Sequence, residues 1–233
     1  MEHSVSGSVS ELTVLLREKL DPLGCSEGEA GAFQTGHVPH VAPLAYLCVC
    51  YSGLNEEGLQ AAEEECGRYI PDPYREFLAC MNGASILGVS LFGTIFGAVD
   101  RSGLGIGQPI SLRYGNVVER PGYIPQGHLG IGGINGERYS QGALYLASTG
   151  EVEFYNSHAN MIGAKWESFS NFLNEEMPRR LSLYDERGFK IKGAKHLPGD
   201  TEDWERLGKE EYEKRTRSNN SFIGRAMRSV RRK

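Results

Sequence analysis

Fifteen of the chain's 30 glycines fall between Gly83 and Gly142. That density excludes long helices, because each glycine inside a helix costs about 1 kcal/mol relative to alanine. Short apolar runs separate the glycines, at residues 85–92, 112–118 and 129–134. They predict β-strands joined by tight turns. Residues 142–147 and 151–155, linked through Ser148, Thr149 and Gly150, predict a hairpin. Alternation then turns Val152 and Phe154 one way and Glu151 and Glu153 the other.

Helical patterns flank this region. Asn55 can cap a helix that turns Leu59, Ala62 and Cys66 inward and crowds Glu56, Glu57, Glu63, Glu64 and Glu65 onto its other surfaces. In the next helix Asp72 can cap and Pro73 fits the first position. Tyr74, Phe77, Leu78 and Met81 recur at i, i+3, i+4 and i+7, and Asn82-Gly83 predicts a left-handed stop. A late helix places Trp166, Phe169 and Leu173 on one stripe and is expected to stop at Pro178. Near the N-terminus Ser8 and Glu11 have capping-box spacing, ahead of Leu12, Leu15, Leu16 and Leu20. The Gly- and Pro-containing stretch 24–43 reads as a linker, which leaves that first helix outside the core. The expected partition is 1–45 as helix and linker, 46–186 as the main domain, and 187–233 as a basic helical extension. Within that extension residues 201–217 read as a polar helix and Phe222, Ile223, Ala226, Met227 and Val230 form a short apolar stripe. The architecture predicted is α+β, a mostly antiparallel curved sheet flanked by helices.

Charge is divided unevenly. Residues 1–186 carry 11 Lys and Arg against 23 Asp and Glu, a net of -12, and residues 187–233 carry 14 against 7, a net of +7. An acidic body repels nucleic acid and attracts basic partners. No apolar run approaches the roughly 18 residues of a membrane span, and no leader pattern stands at the N-terminus, so a cytoplasmic location is expected. Five cysteines without a Cys-x-x-Cys pair fit a reducing compartment.

Catalytic and ligand-binding patterns are incomplete. The run Gly103-Leu104-Gly105-Ile106-Gly107 lacks the third glycine of a dinucleotide fingerprint, and Pro109 follows where a helix should open. The glycines of 130–133 suit a turn or bulge. His37 and His40 lack a third metal ligand, while His128 and His158 stand alone without a nucleophile elbow. These readings imply no enzyme activity, no cofactor and no metal.

The segment Ile70-Pro71-Asp72-Pro73-Tyr74-Arg75-Glu76-Phe77-Leu78, followed by Met81-Asn82-Gly83, resembles the signature of the SUKH superfamily, with Ile70 replacing the more usual leucine. Tyr145, Gly150 and Val152 fit that superfamily's hairpin, and Trp166-Glu167-Ser168-Phe169-Ser170-Asn171-Phe172-Leu173 fits its late helix. The resemblance covers roughly residues 46–184. It implies a mixed fold with a curved sheet, no catalytic residues, and binding to other proteins. In bacteria such proteins are usually immunity proteins encoded beside secreted polymorphic toxins, often nucleases; a fungal relative is a cell-wall synthesis regulator and scaffold. The expected partner is therefore a cationic protein toxin, with a regulatory scaffold as the alternative. Candidate contacts are Glu56, Glu57, Glu63, Glu64 and Glu65 on the acidic helix, Glu151 and Glu153 on the hairpin, and Tyr114, Tyr123, Tyr139 and Tyr155 as aromatic anchors.

Overall fold

The computed structural model describes residues 4–28, 31–95, 108–135, 141–156 and 161–199, together with 206, 209, 210, 212–214, 216 and 217. Among these residues the helices α1 (Val5–Leu20), α2 (Glu56–Cys66), α3 (Asp72–Cys80) and α4 (Phe169–Leu181) accompany nine described strands. The strands are β1 (Cys25–Glu27), β2 (Phe33–His37), β3 (Tyr46–Ser52), β4 (Met81–Ile86), β5 (Val89–Leu91), β6 (Leu129–Asn135), β7 (Gln141–Leu146), β8 (Val152–Asn156) and β9 (Met161–Trp166). They form one open sheet in sequence order, every neighbouring pair antiparallel. Register shifts at 50/52, 130/132 and 154/155 interrupt the ladders. The shift between Gly130 and Gly132 is the bulge that the glycine run called for.

The main core lies on one face of this sheet. Tyr74 and Phe77 of α3 meet Phe169 of α4 at ring separations of 5.2 and 5.4 Å, and Trp166 sets its edge on Phe172 at 5.0 Å. Trp166 therefore belongs to the end of β9 and not to the helix, although it packs in the space expected of it.

The segment that carries the family resemblance anchors this packing. The Tyr74 hydroxyl, fully buried, lies 2.6 Å from the carbonyl oxygen of Phe92 and 2.9 Å from that of Ile131. It fixes the depth of α3 over β5 and β6. Pro71, not Asp72, occupies the cap position of α3, and the helix runs directly into β4 without the left-handed stop read from Asn82-Gly83. Asn82 instead brackets the backbone of Thr94, donating to its carbonyl at 3.0 Å and accepting from its amide at 2.8 Å. Gly83 has φ +78, and a side chain there would meet the Leu91 carbonyl oxygen and the Gly93 nitrogen at 2.8 and 2.9 Å. The pair joins helix to sheet by close backbone approach.

Five further expectations are corrected. Helix α1 belongs to the core: Val5, Val9, Leu12, Leu16 and Leu20 are buried in it, and the α1 amide of Ser6 is held by Glu76 of α3 at 2.9 Å. Its cap is Ser4 and not Ser8, so the apolar stripe is one turn longer than the capping-box reading allowed. The stretch read as a linker supplies β1 and β2, which extend the sheet beyond β3. Residues 112–118 form a short helical turn, not a strand, and Pro178 lies inside α4. Pro178 is tolerated because it and Asn174, whose carbonyl it leaves without its usual donor, are both exposed to water.

The start of the basic extension is also part of the packed body. Arg180 is fully buried; it donates to the carbonyl of Leu87 at 2.5 and 2.9 Å and to that of His196. Arg179 donates to the Lys195 carbonyl at 2.9 Å, and Leu197 enters the core. Beyond it, the described positions between 206 and 217 are helical, with i,i+4 ion pairs Arg206–Glu210 and Glu213–Arg217. The apolar stripe 222–230 lies outside the described residues.

Two stability predictions follow from this packing. Phe77→Ala should lose roughly 3 to 5 kcal/mol in denaturant unfolding, the usual cost of emptying a large core site. Ending the chain after Gly199 should leave the melting temperature close to wild type, whereas ending it after Glu186 should lower it sharply. Ending the chain after Glu186 strips the buried Arg180 of its His196 acceptor and removes Leu197; equal melting temperatures for the two truncations would contradict the packing of 187–199.

Candidate functional site

The second face of the sheet carries a smaller apolar cluster of Ile124, Tyr145 and Tyr155, with Ala143 packed against it. Alternation along β7 and β8 places it there: Leu144, Leu146, Val152 and Phe154 point into the main core, so Tyr145, Glu153 and Tyr155 point the other way. The connection after β5 crosses this face. Its helical turn at 112–118 presents Tyr114, and the following segment brings Tyr123 to within 6.4 Å of Tyr155, ring to ring.

Between this connection and the sheet opens a cleft of about 260 Å³, bordered by Phe92, Tyr114, Glu119, Tyr123, Tyr145 and Tyr155. Its floor is backbone at Gly115, Gly130 and Gly132. Asn116 ties the turn to that floor, donating to the Gly130 carbonyl at 2.7 Å and accepting from the Gly130 amide at 2.8 Å. A side chain at Gly130 would reach the Gly115 carbonyl oxygen at 3.1 Å, so the close approach of the two backbones favours glycine. Tyr114 and Tyr123 are 44% and 45% exposed, whereas Tyr155 is 8% exposed and forms the inner wall with Tyr145, edge to face at 5.4 Å. Tyr139 lies outside the described residues.

Under the cleft sits a polar network. Glu153, read from sequence as an exposed partner contact, is 4% exposed and accepts from Lys165 at 2.6 Å, from the Tyr155 hydroxyl at 2.8 Å and from His128 Nε2 at 3.1 Å. Burial alone would raise its pKa, but these three donors outweigh burial and hold it below the ordinary carboxylate value. Burial, with Glu153 beside it, pushes the Tyr155 phenol up to about 12, and burial does the same to Tyr145. His128, isolated in the sequence, is thus the link from the crossing segment to the sheet. Arg120 reinforces that segment, donating to the His128 and Pro125 carbonyls at 2.9 and 2.5 Å, and Arg68 donates to the Gln126 carbonyl at 2.7 Å.

The acidic helix divides into two sets. Glu65 is committed inside the protein, accepting from Thr94 at 2.5 Å and Ser111 at 2.6 Å. Glu63 pairs with Arg75 at 3.1 Å, and Glu56 pairs with the same guanidinium at 2.5 Å. Glu57 and Glu64 remain exposed. The Glu65–Ser111 bond ties α2 to the turn that carries Tyr114, so the acidic helix and the tyrosine cleft adjoin. Glu151 lies apart at the hairpin turn, bonded to Thr149 at 3.0 Å.

His37 and His40 do not converge: His37 contacts the Pro43 carbonyl at 3.0 Å and His40 stacks on Phe189 at 3.7 Å. Among the described residues no group of three or more His, Cys, Asp or Glu side chains is placed to hold a metal ion, and no helix is long and apolar enough to cross a membrane. Cys48 and Cys50 share the core face of β3, where burial pushes the Cys50 thiol up to about 12. A larger apolar depression of about 500 Å³ between Val38, Tyr46, Leu87 and Phe189 contains none of the candidate contacts.

An open antiparallel sheet backed by helices, with an aromatic cleft on its other face, defines an α+β domain. Its sequence matches the profile of the SMI1 / KNR4 family (SUKH-1) over residues 53–175, and the chain belongs to that family. No curated protein and no solved structure matches it. The match begins after β3, leaving α1, β1, β2 and β3 outside it although they share the sheet and core.

The depressed pKa of Glu153 sets a pH dependence. The folded state binds this proton less readily than the unfolded chain. The stabilisation is therefore present above the ordinary value of 4.5 and is lost as pH falls through the lower folded-state value. Glu153→Gln should lower the melting temperature near neutral pH, and the gap to wild type should close as pH falls below 4.5 through the lower folded-state value. A gap independent of pH would show that the carboxylate charge does not hold the network.

Proposed function

We propose that this chain is a non-enzymatic, cytoplasmic immunity protein that neutralises a cationic protein toxin by binding it. Membership of the SMI1 / KNR4 family (SUKH-1) supports a role in protein binding. The observation that carries the reading further is that α2, which exposes Glu57 and Glu64, is tied through the Glu65–Ser111 bond to the turn that presents the exposed Tyr114. Tyrosine anchors on a rigid support beside unpaired charge are the composition of an interface hot spot. The body charge of -12 favours a basic partner and steers its approach.

The charge reversals that test this reading must avoid carboxylates the fold uses. Glu63 and Glu65 are committed to Arg75, Thr94 and Ser111, so their reversal would confound binding with folding. Glu57→Lys with Glu64→Lys alters exposed helix charges, each contributing only a few tenths of a kcal/mol to stability. With the toxin domain encoded beside this gene, the double variant should associate more slowly, with dissociation little changed. Added salt should slow the wild type toward the variant's rate. Wild-type association with that domain that ignores both salt and the reversals would remove this surface as the interface. Absence of a neighbouring toxin, or failure of the wild type to bind it, would favour the scaffold function.

A further inference from the structure

Resting on the immunity reading, we infer that the tyrosine cleft is the seat for one arginine side chain of the partner. Size is the first argument. At about 260 Å³ the cleft falls below the roughly 300 to 1,000 Å³ of small-molecule and cofactor sites, and it suits a single long side chain.

The walls select among side chains. Tyr114 and Tyr123 offer half-exposed rings at the mouth, and Tyr145 and Tyr155 close the interior. A planar, weakly hydrated guanidinium stacks on such rings, whereas a compact ammonium is held more strongly by water. The exposed Glu119 carboxylate stands on the same rim and supplies the counter-charge. Of the positive groups nearby, Arg120 donates to the His128 and Pro125 carbonyls and sets its guanidinium 6.0 Å over the Tyr145 ring, itself an instance of the stacking inferred here, and Lys165 pairs with Glu153. A wholly apolar anchor would leave Glu119 without a partner on desolvation, which disfavours leucine or phenylalanine in the same place.

The cleft also has the rigidity that an anchor site needs. Asn116 clamps the turn to Gly130, and His128, Arg120 and Arg68 strap the crossing segment to the sheet and to the end of α2. An arginine entering it meets walls already in place, so little ordering cost is charged to binding.

The test uses the full chain and three small probes, N-acetyl-arginine amide, N-acetyl-citrulline amide and N-acetyl-leucine amide, followed by NMR. The arginine probe should shift the amides of Gly115, Gly130 and Gly132 saturably in the millimolar range, and the neutral isostere citrulline and the leucine probe should not. Tyr123→Leu should weaken the arginine probe about two- to fivefold, and Glu119→Gln by a similar factor. Equal binding of citrulline or leucine, shifts mapping away from these glycines, or no saturable shift with any probe would overturn the assignment. The two readings fail separately. Toxin binding that survives without arginine-probe binding removes the cleft alone; saturable arginine binding in a chain that ignores the toxin removes the immunity reading and leaves the cleft as an arginine site.

Discussion

The buried hydroxyl of Tyr74 sets the geometry on which the rest of the molecule depends. It reaches the carbonyl oxygens of Phe92 and Ile131, at the end of β5 and on β6, and so joins helix α3 to the sheet at one depth and one register. Moving that hydroxyl would leave a buried polar group unsatisfied, a cost that the apolar contacts of Phe77 and Leu78 alone would not impose. Directly after the helix, Asn82 holds the backbone of Thr94 from both sides, and Thr94 in turn holds Glu65 of α2. With the Glu65–Ser111 bond, these contacts hold Thr94 and Ser111 to α2. The described segment after Ser111 carries Tyr114, Glu119 and Tyr123 across the far face of the sheet, so residues that determine the fold also help to position the cleft.

A second buried donor secures the opposite end. Arg180 spends its guanidinium on the carbonyls of Leu87 and His196, while Glu176, itself buried, pairs with Arg179 at 2.6 Å. Burial lowers the pKa of Arg180, yet an arginine stays protonated, so the charge is carried inside and must be met by oxygen. The Leu87–Gly88 turn provides the space: a side chain at Gly88 would run into the Arg180 guanidinium. The net effect is a basic segment whose first dozen residues are structural.

Elements whose signals are local were legible in the sequence. The i, i+3, i+4 pattern of Tyr74, Phe77 and Leu78, the Asn55 cap of α2 and the pairing of Leu146 with Val152 need only neighbouring residues to specify them. What required tertiary context was not legible. Strands β1 and β2 hide among glycines because Gly24 and Gly36 adopt positive φ in short pieces that pair β1 with β2 and β2 with β3. Their partners lie further along the chain, Cys25 opposite Thr35 and Phe33 opposite Cys50. Pro178 reads as a stop unless the exposure of Asn174 is known. Among the candidate contacts, alternation placed Glu153 on the correct face, but only the donors Lys165, His128 and Tyr155 show that this face is covered there. Likewise Glu65 belongs to Ser111 and Thr94, 46 and 29 residues away. The exposed set that survives, Glu57, Glu64, Tyr114 and Tyr123, had no distinguishing mark within the sequence.

The claim that α2 and the tyrosine cleft form the recognition surface is tested most directly by hydrogen exchange on the complex with the toxin domain encoded alongside. The account predicts added protection of backbone amides within residues 56–66 and 112–124 on binding, with β1, β2 and the 38–47 segment unchanged. Protection confined to the depression between Tyr46 and Phe189 or to the edge strands, with α2 and the cleft unaffected, would contradict it.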